Sequence, residues 1–235
     1  AYATYNDLES VKELIDENTA AVMLEVVQGE GGVIPGNEDF IKNLASLCKE
    51  ENILLVVDEI QTGIGRTGKK FGFEHYGIDP DIFTLAKGLG NGLPVGAMVA
   101  KQKYATAFGP GSHGSTFGGN PLAMAAAKAV LTTVFTNGFL QEVTETANYL
   151  KEQLAEHIKP LAFVKEIRQK GLMVGIECED KASHLVPQLM DKGILVLNAG
   201  ENVVRLLPPL TVSKDEVNQA VTYIKEVLQK EKVLS

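Results

Sequence analysis

Three short apolar runs, Ala21–Val27, Ile53–Val57 and Ile82–Ala86, constrain this chain more than any other feature. Runs this short and nearly free of charge read as strands that need cover on both faces, the mark of a parallel sheet with helices on either side. Between the first two lies a segment whose residues Phe40, Ile41, Leu44, Leu47 and Cys48 recur at helical spacing, with Asn37 placed as its cap. A glycine-rich loop at 63–72 and a further strand at 95–100 continue the pattern.

The character changes near residue 121. Pro121 is suited to open a helix, and the small residues at 123, 125, 126 and 127 allow close packing. A second helix carries Leu140, Val143, Ala147, Leu150 and Leu154 on one face. Beyond Pro160 the pattern predicts strands at 163–169 and 172–178, a helix at 181–192, strands at 194–198 and 203–207, and a helix at 214–230. Ser213 and Glu216 form a capping-box pair for that last helix. The fold class is α/β: a mainly parallel sheet over residues 1–125, then linking helices and a small α+β domain over 126–235.

A net charge of −8 and a pI near 5.1, without a basic cluster, argue against nucleic acid as a partner. No apolar run approaches the length of a membrane span. Ala1–Asn6 has neither a basic-then-apolar leader nor an initiating Met, and a cytoplasmic protein is expected. Cys48 and Cys178 read as buried free thiols, and the four histidines have no ligand spacing, so no metal site is expected.

The chemistry lies where strands end. Asp58 closes one apolar run and Lys87 closes another, 29 positions on, about one strand-crossover-strand unit. Residues just past the C-terminal ends of parallel neighbours converge on one crevice. An amine on a desolvated strand end can act as nucleophile and base, and a carboxylate beside it can keep a ring nitrogen protonated, the pair that pyridoxal phosphate chemistry needs. Alone, Lys87 reads more readily as a surface lysine opening a loop; its place next to Asp58 in the sheet reverses that. Glu59 points to the opposite side by strand alternation, while Ile60 and Gln61 are placed to meet a ring and its oxygen.

Gly63-Ile-Gly-Arg-Thr-Gly68 matches the dinucleotide-binding glycine pattern, the main sign of a rival class, an oxidoreductase. It stands away from its strand, and Lys69-Lys-Phe-Gly72 does not open an amphipathic helix. Ser115 and Thr116 lie in Gly114-Ser-Thr-Phe-Gly-Gly-Asn-Pro121, where hydroxyls and a helix start suit a phosphate or an ordinary capped entry. Arg205, in a strand-like run, needs a carboxylate from the protein or a substrate; Glu30 by itself is a charged turn residue.

Taken in order, the segments Glu25–Gly32, Val57–Gly68, Pro80–Gly90, Ser112–Pro121 and Val204–Pro209 resemble those of class III aminotransferases, of the fold-type I pyridoxal phosphate group. The stretch Gly90–Met98 is most similar to the branch acting on N-acetylornithine in arginine biosynthesis, with the ornithine branch close by. The resemblance implies that Lys87 bonds the cofactor, pyridoxal 5′-phosphate, and shuttles a proton. It implies that Asp58 meets the ring nitrogen, Ile60 the ring face and Gln61 the phenolic oxygen. Thr116, with Ser115, would reach the phosphate of the neighbouring subunit, giving a homodimer with shared sites. Arg205 would hold the α-carboxylate of glutamate, and Glu30 would pair with Arg205 when N-acetylornithine is the donor. The amino acceptor would be 2-oxoglutarate.

Members of that family are considerably longer. The resemblance therefore implies that this chain starts inside the large domain, lacking a phosphate-binding turn, a ring-stacking aromatic and an arginine for the acylated substrate end. A fragment with weak cofactor binding and little activity is expected, and a non-catalytic interaction protein is the third class of reading.

Overall fold

The computed structural model describes residues 1–231. Its contacts divide into two units. The first contains Ala1–Val26, Gly36–Ile64 and Lys69–Thr136; the second contains Val27–Pro35, Gly65–Gly68 and the chain from Asn137 onward.

The first unit is built on a four-stranded sheet ordered Ala21–Glu25, Leu54–Asp58, Ile82–Leu85, Ala97–Ala100. The first three strands are parallel and the last is antiparallel to its neighbour, so the sheet is mixed but mainly parallel. Helix Glu38–Glu50 buries Phe40, Ile41, Leu44 and Cys48 in a core shared with Leu55 and Val57, which is why the central strand reads as unbroken apolar sequence. Each such fully buried aliphatic side chain contributes roughly 1.5–3 kcal/mol.

The run 21–27 is not one strand. It leaves the ladder at Val26, whose carbonyl accepts from Gly36 N (2.9 Å) and the Tyr76 hydroxyl (3.2 Å). Val27–Gln28 then pairs antiparallel with Ile34–Pro35 in the second unit. Helix Pro121–Val134 starts where Pro121 suggests, with Asn120 Oδ1 accepting from Ala123 N at 2.9 Å. It buries Ala123 and Ala127 and packs against the 3₁₀ turn Lys87–Leu89. The helix belongs to the first unit.

The second unit holds an antiparallel sheet ordered Val164–Lys170, Met173–Cys178, Val203–Leu206, Leu197–Ala199. Helices Phe139–His157, Leu185–Asp191 and Lys214–Leu228 share its core through Leu150, Leu154, Leu185 and Ile224. The Ser213–Glu216 capping box forms, with Ser213 N donating to Glu216 Oε2 at 2.8 Å and Glu216 N to Ser213 Oγ at 3.2 Å. The helix expected at 181–192 is shorter, a 3₁₀ turn Ala182–His184 followed by Leu185–Asp191. Pro187 is the reason: starting at Leu185 keeps it in the first turn, where its missing N–H removes no helical bond.

Candidate active site

Strands Leu54–Asp58 and Ile82–Leu85 run parallel in the register Val56↔Ile82, Asp58↔Thr84, so both end at one edge of the sheet. Asp58 is the last residue of its strand, and Lys87 follows Thr84 by three positions on the next. Asp58 Oδ1 accepts from Ile60 N at 2.9 Å and from the Thr84 hydroxyl at 3.2 Å. Oδ2 takes no hydrogen bond among the described residues, which leaves an oriented carboxylate oxygen to accept from a protonated ring nitrogen. This donor–acceptor set fits a pyridine ring.

Lys87 does not sit on a desolvated strand end. Its strand stops at Leu85, and Lys87 is exposed at the start of a 3₁₀ turn. Its backbone is in the left-handed region at φ +42°, which costs a residue with a Cβ roughly 1–2 kcal/mol. Strain of this kind persists where surrounding structure enforces it. Leu89, buried two residues on, and the packed helix Pro121–Val134 supply that enforcement.

Ile60 and Gln61 are half-buried in the turn after Asp58. Ser115 and Thr116 are exposed, in the turn leading to Asn120, beside a Phe117 that is 82% exposed. In the second unit Arg205 and Glu30 meet, with Arg205 Nη1 donating to Glu30 Oε1 at 2.8 Å. The glycine string is not a dinucleotide fingerprint: turns and the 3₁₀ segment Gly72–His75 come after it, with no helix aimed at a pyrophosphate.

Residues 2–228 match the family model of the class-III aminotransferases. This chain belongs to that family. The acetylornithine aminotransferase of Listeria innocua is 57% identical to this class-III chain over 230 residues, 98% of the chain and 60% of the relative. The crystal structure of the acetylornithine aminotransferase of Elizabethkingia anophelis matches with a TM-score of 0.89 at 35% identity, covering 97% of this chain and 59% of that one. An ornithine aminotransferase of Plasmodium yoelii matches with a TM-score of 0.88 at 32% identity, covering 96% and 62%. The class-III chain thus spans about 60% of the length of the curated relatives it matches.

Two charged residues of this class-III chain do structural work that sequence reasoning missed. Glu59 is 1% exposed and accepts from Thr62 Oγ1 (2.7 Å), Gly72 N (2.8 Å) and Phe73 N (2.8 Å), so it fastens the loop after Asp58. Burial pushes its carboxyl above the ordinary range, against those hydrogen bonds. Gly72 belongs to the same contact, since a Cβ there would lie 2.8 Å from Val26 Cγ2 and 2.9 Å from Thr62 Cβ. Arg66, inside the glycine string, donates to the carbonyls of Leu172 (3.1 Å) and Pro208 (2.6 Å), and burial lowers its pKa to about 10. The only sequence signal for either was a charge embedded among small and apolar residues.

Proposed function

We propose that the protein to which this chain belongs is a pyridoxal 5′-phosphate-dependent aminotransferase. It moves the δ-amino group of N-acetylornithine to 2-oxoglutarate, yielding N-acetylglutamate 5-semialdehyde and glutamate. The observation that carries the reading is the parallel register that ends Asp58 and the Lys87 turn at one sheet edge, in a chain 57% identical to a relative named acetylornithine aminotransferase. Greater similarity to that relative than to the ornithine-named structure at 32% favours the acetylated donor.

When bound, the cofactor supplies an aldehyde carbon and a ring that accepts the electrons of a broken C–H bond. Lys87 is the residue that would bond it, and Lys87 Nζ would take the proton from the amine-bearing carbon of the substrate and deliver it to the carbon that had been the aldehyde, so that the amino group stays behind. Asp58 accepts from the protonated ring nitrogen, keeping the positive charge where electrons arrive. Ile60 packs on the ring and Gln61 donates to its phenolic oxygen. Ser115 and Thr116 serve the phosphate of a second subunit in a cytoplasmic homodimer. Arg205 holds the α-carboxylate of glutamate, and Glu30 neutralises Arg205 while N-acetylornithine occupies the protein.

An absorbance spectrum of the chain with added cofactor, set against Lys87→Ala, tests this. The expected result is a lysine-dependent visible band that N-acetylornithine bleaches faster than ornithine. Faster bleaching by ornithine would transfer the assignment to that donor. Identical spectra from the two proteins would remove Lys87 from its role.

A further inference from the structure

A row of three residues crosses the second unit's sheet. Arg168 and Arg205 both pair with Gly175, one from each side, in the registers Arg168↔Gly175 and Arg205↔Gly175. Directly opposed residues of antiparallel strands project to the same face. Two arginines therefore flank a position with no side chain.

The gap is filled by the loop that carries Glu30. A Cβ on Gly175 would lie 2.9 Å from Val33 Cβ and 3.1 Å from the Gly32 carbonyl oxygen, so only glycine leaves room for that loop. Arg168 grips the loop from one side, its Nε (3.1 Å) and Nη2 (2.9 Å) both donating to the Gly32 carbonyl. Its Nη1 is held by Glu166 at 2.6 Å and by Glu177, so the fork has a fixed direction. Gly200 N donates to the Glu30 carbonyl at 2.8 Å from the other side. The loop backbone is itself strained at Val33, a β-branched residue at φ +53°.

We propose that Arg168 is a positioning residue: its fork on the Gly32 carbonyl, over Gly175, sets how firmly Glu30 competes with substrate carboxylates for Arg205. It touches neither substrate nor cofactor. By holding the loop it fixes the balance between the amine donor, which needs Glu30 on Arg205, and the dicarboxylate, which needs Glu30 displaced. The inference rests on the proposed role of Arg205 as a carboxylate holder.

The test is a set of double-mutant cycles. Unfolding equilibria of the chain are measured for Glu30→Gln, Arg205→Met and their combination, first with Arg168 present and then in an Arg168→Met background. With Arg168 present, the Glu30–Arg205 coupling should change the unfolding constant about fivefold. In Arg168→Met that coupling should fall to near unity. Arg168→Lys keeps the charge beside Glu166 and Glu177 but has no fork; it should lose the coupling in the same way, and it replaces Arg168→Met where that variant does not fold. A coupling unchanged in both backgrounds overturns the proposal.

Glutarate binding, measured by calorimetry, separates the proposal from the reading beneath it. Tighter glutarate binding in Arg168→Met, with no further gain on adding Glu30→Gln, supports the positioning role. Gains that simply add overturn it. Glutarate affinity indifferent to Arg205→Met removes Arg205 as carboxylate holder, while a lost coupling in the cycle still leaves Arg168 as the residue that sets the Glu30–Arg205 pair.

Discussion

Arg205 and Glu30 form an asymmetric ion pair: the arginine side chain is 4% exposed, whereas the glutamate facing it at 2.8 Å is 71% exposed. The buried cation cannot leave, and the exposed carboxylate can. A second carboxylate could take its place without leaving a charge stranded in the interior, which one arginine alternating between two partners requires. Under the proposed function, replacing Arg205 with Met in the whole protein should raise the KM for 2-oxoglutarate about 10- to 100-fold, the loss of one charged hydrogen-bonded contact. Glu30→Gln should lower that KM and raise the one for N-acetylornithine. Steady-state kinetics with each substrate varied would decide it, and equal shifts of both constants would remove Glu30 from the exchange.

The backbone at Lys87 gives a prediction that needs no substrate. At φ +42° a glycine is unstrained and an alanine is not. Lys87→Gly should therefore unfold at higher denaturant than Lys87→Ala, by about 1 kcal/mol. Both should lack the lysine-dependent absorbance band. Equal stability of the two variants would show that the turn relaxes when the lysine is removed.

Glu59 should matter to folding more than its neighbour Asp58. Glutamine there turns an NH₂ toward backbone donors, so Gly72 N or Phe73 N loses its acceptor, and Glu59→Gln should lower stability by about 1–3 kcal/mol. The pH dependence comes from burial, which holds the folded-state carboxyl above its ordinary 4.5. The native state then binds more protons than the unfolded one, so the contribution of Glu59 is greatest below pH 4.5 and erodes as pH rises through the folded value. That erosion should be missing in Glu59→Gln. Denaturant titrations at a series of pH values would show it.

Glu177 should behave in the opposite way. Its hydrogen bond from Arg168 holds its carboxyl below the ordinary 4.5. The stabilisation is present above pH 4.5 and is lost as pH falls through the folded value. Glu177→Gln should consequently be less stable at neutral pH yet lose less on acidification than the parent. Acid unfolding monitored by circular dichroism would test this, and parallel curves would refute it.

Much of this was legible in the linear chain because periodicity and strand ends are local. The unbroken runs at 53–57 and 82–86, the helix after Asn37, and the Ser213–Glu216 capping box each declare themselves within a few residues. Strand ends pointed to Asp58, which does close its strand, whereas Lys87 lies two residues beyond the end of its own, in a turn. Pro187 shortened a predicted helix for a reason also present in the sequence, its missing N–H.

Tertiary structure decided what depends on partners distant along the chain. The run at 21–27 looks like one strand, yet Gly36 and Tyr76 capture the Val26 carbonyl and send Val27 into another unit. Glu59 became a buried anchor because Gly72 and Phe73 bring it two N–H groups, and Lys87 took a left-handed backbone because a helix more than thirty residues later packs on its turn. Only the fold sets Gly175 apart, by pairing Arg168 and Arg205 on either side of it. The sequence determined which residues wanted burial, charge or a turn; only folding chose their partners, because a hydrogen bond or ion pair between distant positions leaves no periodic trace.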